Sequence, residues 1–163
     1  MHPRLSASRQ GEGFQSLLRD DGRATPKRWV FLLYDQLNLN LLPFDDSPPE
    51  ETGILLIEST AKGTSRPYHK QKIAMLISNM RHFAIEAQSE GYPVTYLMTK
   101  DYYSVALEKF ASVGSIHVIK AAEKSTRDEL SPLIDSGLLT VHPHRGWITP
   151  MKWFIEAVGA EPP

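Results

Sequence analysis

The sequence predicts a Rossmann-like α/β domain, a three-layer sandwich around a five-stranded, mostly parallel sheet. Three observations carry that expectation. Short apolar runs recur at Trp29-Val30-Phe31-Leu32-Leu33, Ile54-Leu55-Leu56-Ile57, Val94-Thr95-Tyr96-Leu97, Ile116-His117-Val118-Ile119 and Leu138-Leu139-Thr140-Val141, implying five strands. The first is apolar throughout, as in a strand buried on both faces. Helical spacing fills several of the intervals, and such alternation favours right-handed crossovers with helices on both faces and ligands at the carboxyl ends of the strands.

In chain order, residues 1–27 show no sustained period and read as a flexible tail with a short apolar patch at Phe14, Leu17 and Leu18. Arg4, Arg9, Arg19, Arg23 and Lys27 outnumber Glu12, Asp20 and Asp21, so the tail is mildly basic: either solvated or a short nucleic-acid arm. Residues 28–159 form the folded domain, and residues 160–163 a terminal tail. Between the first two strands, Pro43, Pro48, Pro49 and the acidic Asp45, Asp46, Glu50 and Glu51 argue against a long helix, leaving a loop with a helical turn. Ile73, Leu76, Ile77, Met80, Phe83, Ala84 and Ala87 recur at helical spacing and Gly91 follows, which makes this the most secure helix. A second helix is expected over residues 103–111. A third follows Ser125, with Glu129 near its start. Thr149-Pro150 opens a short last helix from Met151 to Val158, which Gly159 closes.

The totals narrow the chemistry. The 163 residues suit one domain, and 41% hydrophobic with 23% charged residues is the balance of a chain that folds. A net charge of −1 argues against a surface built to neutralise nucleic-acid phosphates, so weak DNA binding is the most expected of it. Without cysteine the chain has no disulfide, thiolate-held zinc, cysteine nucleophile or cysteine-ligated iron–sulfur cluster. No apolar run approaches the roughly 20 residues of a membrane helix, and no hydrophobic signal core opens the chain, so the cytoplasm is the expected location. The glycine fingerprints of dinucleotide and P-loop sites and the serine nucleophile elbow are all missing from this sequence. His142-Pro143-His144 has no acidic or histidine partner nearby in sequence, so loop histidines are the expectation there.

Candidate site residues gather at strand ends. Asp35-Gln36-Leu37-Asn38 follows the first strand, where a carboxylate and two amides either make a polar turn or read the donors and acceptors of a flat heterocycle. Glu58 ends the second strand and is expected to face Asp35 and Gln36 across one rim. Tyr68-His69-Lys70-Gln71-Lys72 opens the long helix, whose amides and dipole favour an anion or electron-rich ring. His69, in phase with Ile73 and Met80, is expected to turn toward the sheet rim.

These residues carry a resemblance. Leu33-Tyr34-Asp35-Gln36-Leu37-Asn38, Ile57-Glu58-Ser59, Tyr68-His69-Lys70-Gln71-Lys72 leading to Met80-Arg81-His82-Phe83, Gly91-Tyr92-Pro93-Val94 and Trp147-Ile148-Thr149-Pro150 resemble the photolyase-related proteins, the iron–sulfur bacterial (6-4) photolyases and cryptochromes. The resemblance runs from about Arg28 to Phe154. It implies the N-terminal half of that family, a Rossmann-like domain cradling a lumazine antenna, without the helical half that holds FAD, DNA and the cluster. It assigns chromophore contacts to Asp35, Gln36, Leu37, Glu58, His69 and Lys72. Tyr34 stands where the family usually has Gly, and its ring either fills the chromophore's space or stacks on it.

The resemblance thus implies a domain that binds 6,7-dimethyl-8-ribityllumazine or a flavin at the strand ends and does not repair DNA by itself. Two rival readings are a module docking on a separate flavin-binding photolyase chain, and a small nucleotide-using enzyme with Asp35 and His69 in acid/base roles.

Overall fold

The computed structural model describes residues 14, 18, 25–44, 46–146, 149 and 151–159. Five strands form one sheet: β1 (Arg28–Phe31), β2 (Thr52–Ser59), β3 (Val94–Thr99), β4 (Ile116–Ile119) and β5 (Leu139–His142). Every pairing is parallel, and the spatial order is β3-β2-β1-β4-β5. The α/β Rossmann-like fold expected from the strand runs is therefore the fold observed.

Period-two alternation along the central strands assigns each side chain to a layer. Trp29, Phe31, Leu55, Ile57, Ile116 and Val118 pack against helices α3 (Tyr103–Phe110) and α4 (Lys124–Asp135), chiefly on Leu107, Phe110, Leu130 and Leu133. Val30, Leu32, Ile54, Leu56 and Ile119 share the opposite layer with Met80, Phe83, Ala84 and Ala87 of α2 (Lys70–Ser89). Both layers are dry at the sheet, with Phe31, Leu32, Ile54, Leu55 and Leu56 wholly buried. Each such side chain stabilises by about 1.5–3 kcal/mol relative to exposure. Phe14 and Leu18, within the stretch read as a tail, pack on the α2 layer, and Phe14 meets Tyr96 edge to face at 4.9 Å. The tail's arginines and Leu17 lie outside the described residues.

Helix α2 ends as its sequence requires. Gly91 adopts φ +96°, and the amides of Gly91 and Tyr92 bond back to the carbonyls of Gln88 and Ala87. The last helix, α5 (Met151–Val158), is followed by Gly159 at φ +90°; Trp147, Ile148 and Pro150 lie outside the described residues. A five-residue helix, α1 (Thr60–Thr64), follows β2 and was not anticipated: Ser59 caps it, accepting from the Lys62 amide at 3.1 Å. At α4 the N-cap is Glu123, not Ser125. Glu129 turns to another helix, accepting from the Ser104 amide of α3 at 3.1 Å. No helix among the described residues is long and apolar enough to cross a membrane.

Residues 38–51 contain two 3-10 turns, Leu39–Leu41 and Pro49–Glu51, in place of a crossover helix. This strap is fastened over β4 and β5. Phe44 sits edge-on to His117 at 5.0 Å and His142 at 5.3 Å, with the Arg28 guanidinium 4.0 Å from its ring centre, while Arg145 donates to the Leu42 carbonyl at 2.9 Å. His117 Nδ1 and His142 Nε2 are 2.9 Å apart, a bond that needs one nitrogen protonated and the other bare. Thus His142 belongs to a cross-strand pair and not to a loop motif with His144. Burial lowers the pKa of both rings, with His142 and Arg28 adding to the effect on His117 and Arg145 to that on His142. Folded pKa values below the ordinary 6.5 mean that the unfolded chain binds more protons as pH falls through that range. Stability contributed by the neutral pair is complete above about 6.5 and is lost as pH drops through the depressed folded values. Thermal melts between pH 7.5 and 5 should show a falling midpoint for the wild type and a flatter profile for His117→Asn. Parallel profiles would remove the pair as the cause.

Candidate functional site

The carboxyl ends of β1 and β2 open into a cleft of about 670 Å³, counting the space at its mouth. Tyr34, just past β1, and Ile57, Glu58 and Ser59 of β2 form its floor. Helix α2 contributes an apolar wall of Ile73, Leu76, Ile77 and Met80, and Lys62 and Gly63 of α1 close one end. Across the cleft stand Tyr103 of α3 and Glu123, the N-cap of α4. In this strand order the chain reverses its direction of travel between β1 and β4, and the crevice at such a point is where open α/β sheets take ligands. Three tyrosines line it, Tyr34, Tyr68 and Tyr103, the last almost buried.

Glu58, Lys62 and Glu123 are each paired. Glu58 accepts two hydrogen bonds on one oxygen, Oε2, from Arg81 Nη2 and from the Tyr96 hydroxyl, each at 2.9 Å. Burial pulls the Arg81 guanidinium pKa down, but its bonds to Glu58 and Tyr96 outweigh that and raise it. Burial, then the Glu58 charge, pushes the Tyr96 phenol well above its usual range, so it remains a donor at any working pH. At the other end Lys62, with only 13% of its side chain exposed, donates to Thr126 Oγ1 at 3.0 Å and lies 3.4 Å from Glu129 and 3.8 Å from Glu123. Hydrogen bonds from Ser125 and Thr126, with Lys62 and Arg66 nearby, hold the Glu123 carboxyl below its usual range. Burial, then Glu123 and Asp35, raises the Tyr34 phenol.

The structure brings some of the expected site residues together and separates others. Tyr34, Glu58 and Lys72 line the cleft, Lys72 with its Nζ 5.4 Å from the Tyr68 ring centre. Asp35 is exposed and Leu37 packs against the α2 layer; neither lines the cleft. His69 corrects the phase argument that turned it toward the rim. It is exposed as the N-cap of α2, its Nδ1 accepting from the Gln71 amide at 3.3 Å, because a capping residue sits before the helical period begins. Gln36 is wholly buried, and its amide is spent inside the protein: Oε1 accepts from the Leu33 amide at 3.4 Å, and Nε2 donates to the carbonyls of Ile119 at 3.2 Å and Lys120 at 3.3 Å. Lys62, Tyr103 and Glu123 were missed. Ser59-Thr60 directly after an apolar run, a capping signal, was the one available pointer to Lys62.

The Tyr34, Glu58 and Lys72 positions fall on the motifs that carry the resemblance, and a family model settles what they belong to. The model of the deoxyribodipyrimidine photo-lyase-related proteins matches residues 30–161. The chain belongs to that family. A relative, the (6-4) photolyase of Agrobacterium fabrum, is 39% identical over 72 residues, which is 44% of this chain and 14% of that protein. The chain therefore matches a small part of the photolyase's own length.

Within this family member Gln36 braces the strand ends at the crevice. Gln36→Leu would leave the Leu33 amide and two carbonyls without their partner, at about 1–3 kcal/mol. Chemical denaturation should show that loss. An unchanged midpoint would mean that the brace is dispensable.

Proposed function

We propose that this chain is an antenna-like domain that binds a lumazine- or flavin-like ring in the cleft at the ends of β1 and β2. The observation that carries the reading is the cleft's make-up, three tyrosines and an aliphatic wall beside the anchored Glu58 carboxylate, in a member of the photolyase-related family. Flat heterocycles suit such a lining: rings supply stacking surface, and a few fixed polar groups set orientation. Candidate ligands are 6,7-dimethyl-8-ribityllumazine and riboflavin. Asp35 and His69 offer little to an acid/base enzyme, since both are exposed and neither lines the cleft.

Titration calorimetry with either ring should show binding that Glu58→Ala weakens at least tenfold, about 1.4 kcal/mol. Tyr34 lines the cleft, where its ring can stack on a flat ligand. Tyr34→Gly should therefore lower affinity by about 0.5–1.5 kcal/mol. Tighter binding by that variant would make the phenol an obstacle instead.

A docking role alongside is favoured by α5, which presents Trp153 (61% exposed), Phe154, Ile155 and Val158 to solvent. That surface suits a separate flavin-binding photolyase chain, to which a bound antenna would pass excitation. On this reading the chain alone does not reverse (6-4) lesions, because the flavin carries that chemistry. Lesion reversal by the purified chain with reduced FAD and light, above a flavin-only control, would falsify this half of the proposal.

A further inference from the structure

Glu58 stands between two hollows, the cleft and a larger groove along α2 that Phe14, Arg81 and His82 help to line. Both of its protein donors reach the same oxygen. Arg81 Nη2 comes from α2, backed by the Phe14 ring 5.4 Å away, and the Tyr96 hydroxyl comes from β3. Parallel pairing sets Tyr96 beside Leu56, two residues before Glu58, so the phenol reaches the carboxylate along the sheet. Two donors on Oε2 fix the side chain. The other oxygen, Oε1, has no protein donor among the described residues. An ionised carboxylate accepts hydrogen bonds and donates none, so an organic ring that pairs with Oε1 must bring a hydrogen.

We propose that Arg81 and Tyr96 are positioning residues that offer Glu58 Oε1 as a single fixed acceptor, and that the cleft therefore selects rings bearing an imide N–H. This rests on the ring-binding reading and narrows it to one ligand edge. Lumazines and flavins share that edge, an N–H between two carbonyls on the pyrimidine ring. A ring methylated at that nitrogen loses the donor and sets a methyl group against a charge. The penalty arises because the bound ring would cover the acceptor, and an acceptor taken out of water without a new donor loses more than a bond made in water.

The test compares riboflavin with N3-methylriboflavin by fluorescence titration, on wild type, Tyr96→Phe, Glu58→Ala and the double variant, with thermal melts as the folding check. Wild type should prefer riboflavin at least tenfold, and Tyr96→Phe should shrink that preference several-fold. In Glu58→Ala the two ligands should bind alike, and adding Tyr96→Phe should change nothing more, since Tyr96 acts through the missing carboxylate. Equal binding of both rings by wild type, or an undiminished Tyr96→Phe effect in the Glu58→Ala background, overturns this inference and leaves ring binding intact. Binding of neither ring by wild type overturns the ring-binding reading and this inference with it.

Discussion

The crevice exists because two neighbouring parallel strands send their chains to opposite faces of the sheet, and the backbone groups exposed there must still be satisfied. After β1 the chain enters the strap on the α2 side; after β4 it enters α4 on the other side. Between them the Leu33 amide and the carbonyls of Ile119 and Lys120 have no ladder to join. One buried amide, that of Gln36, serves all three. A buried polar side chain is costly unless its bonds are made, and here the cost of burying it is offset by three groups that would otherwise be orphaned. Tyr34 and Glu123 can then stand on either side of an open space, where chain would otherwise have to fill it.

That arrangement explains what was legible in the sequence and what was not. Strands β1, β2 and β4 are buried on both faces, so their apolar runs marked them plainly; α2 carries an apolar stripe from Ile73 to Ala87. Both signals are local, set by neighbours two or four positions away. Gln36 was read as a ring contact because its position at a strand end is what spacing reveals, whereas its partners lie 83 and 84 residues on. The His117–His142 bond likewise joins two strands whose register no local pattern discloses. Helix α1 escaped because five residues including Gly63 are too few to show a period.

Electrostatics in the cleft narrow the ligand by a separate route. Glu58 is matched by Arg81, and Lys62 by Glu123 and Glu129, which leaves the exposed Lys72, held against the Tyr68 ring, as the one lining cation not facing a carboxylate among the described residues. A polyphosphate needs converging amides and unpaired cations. Drawing Lys62 out to meet one would take it from Thr126, Glu123 and Glu129 in a half-buried setting. A neutral ring with a polar edge makes no such demand. It can lie against Tyr34, Tyr68 or Tyr103 and spend its hydrogen bonds on groups already held in place.

Preorganisation of this kind separates the two ends of the cleft. At the Glu58 end the acceptor is fixed by donors on the sheet and on α2, rigid elements that packing holds independently of any ligand. Near Tyr68 and Lys72 the partners are a loop and an exposed lysine, joined by a ring contact at 5.4 Å, which costs little to rearrange. A ligand anchored by its ring at the rigid end can therefore keep a flexible tail at the adaptable end without altering how the ring is read. Recognition of the heterocycle and tolerance of its substituent follow from one difference in local rigidity.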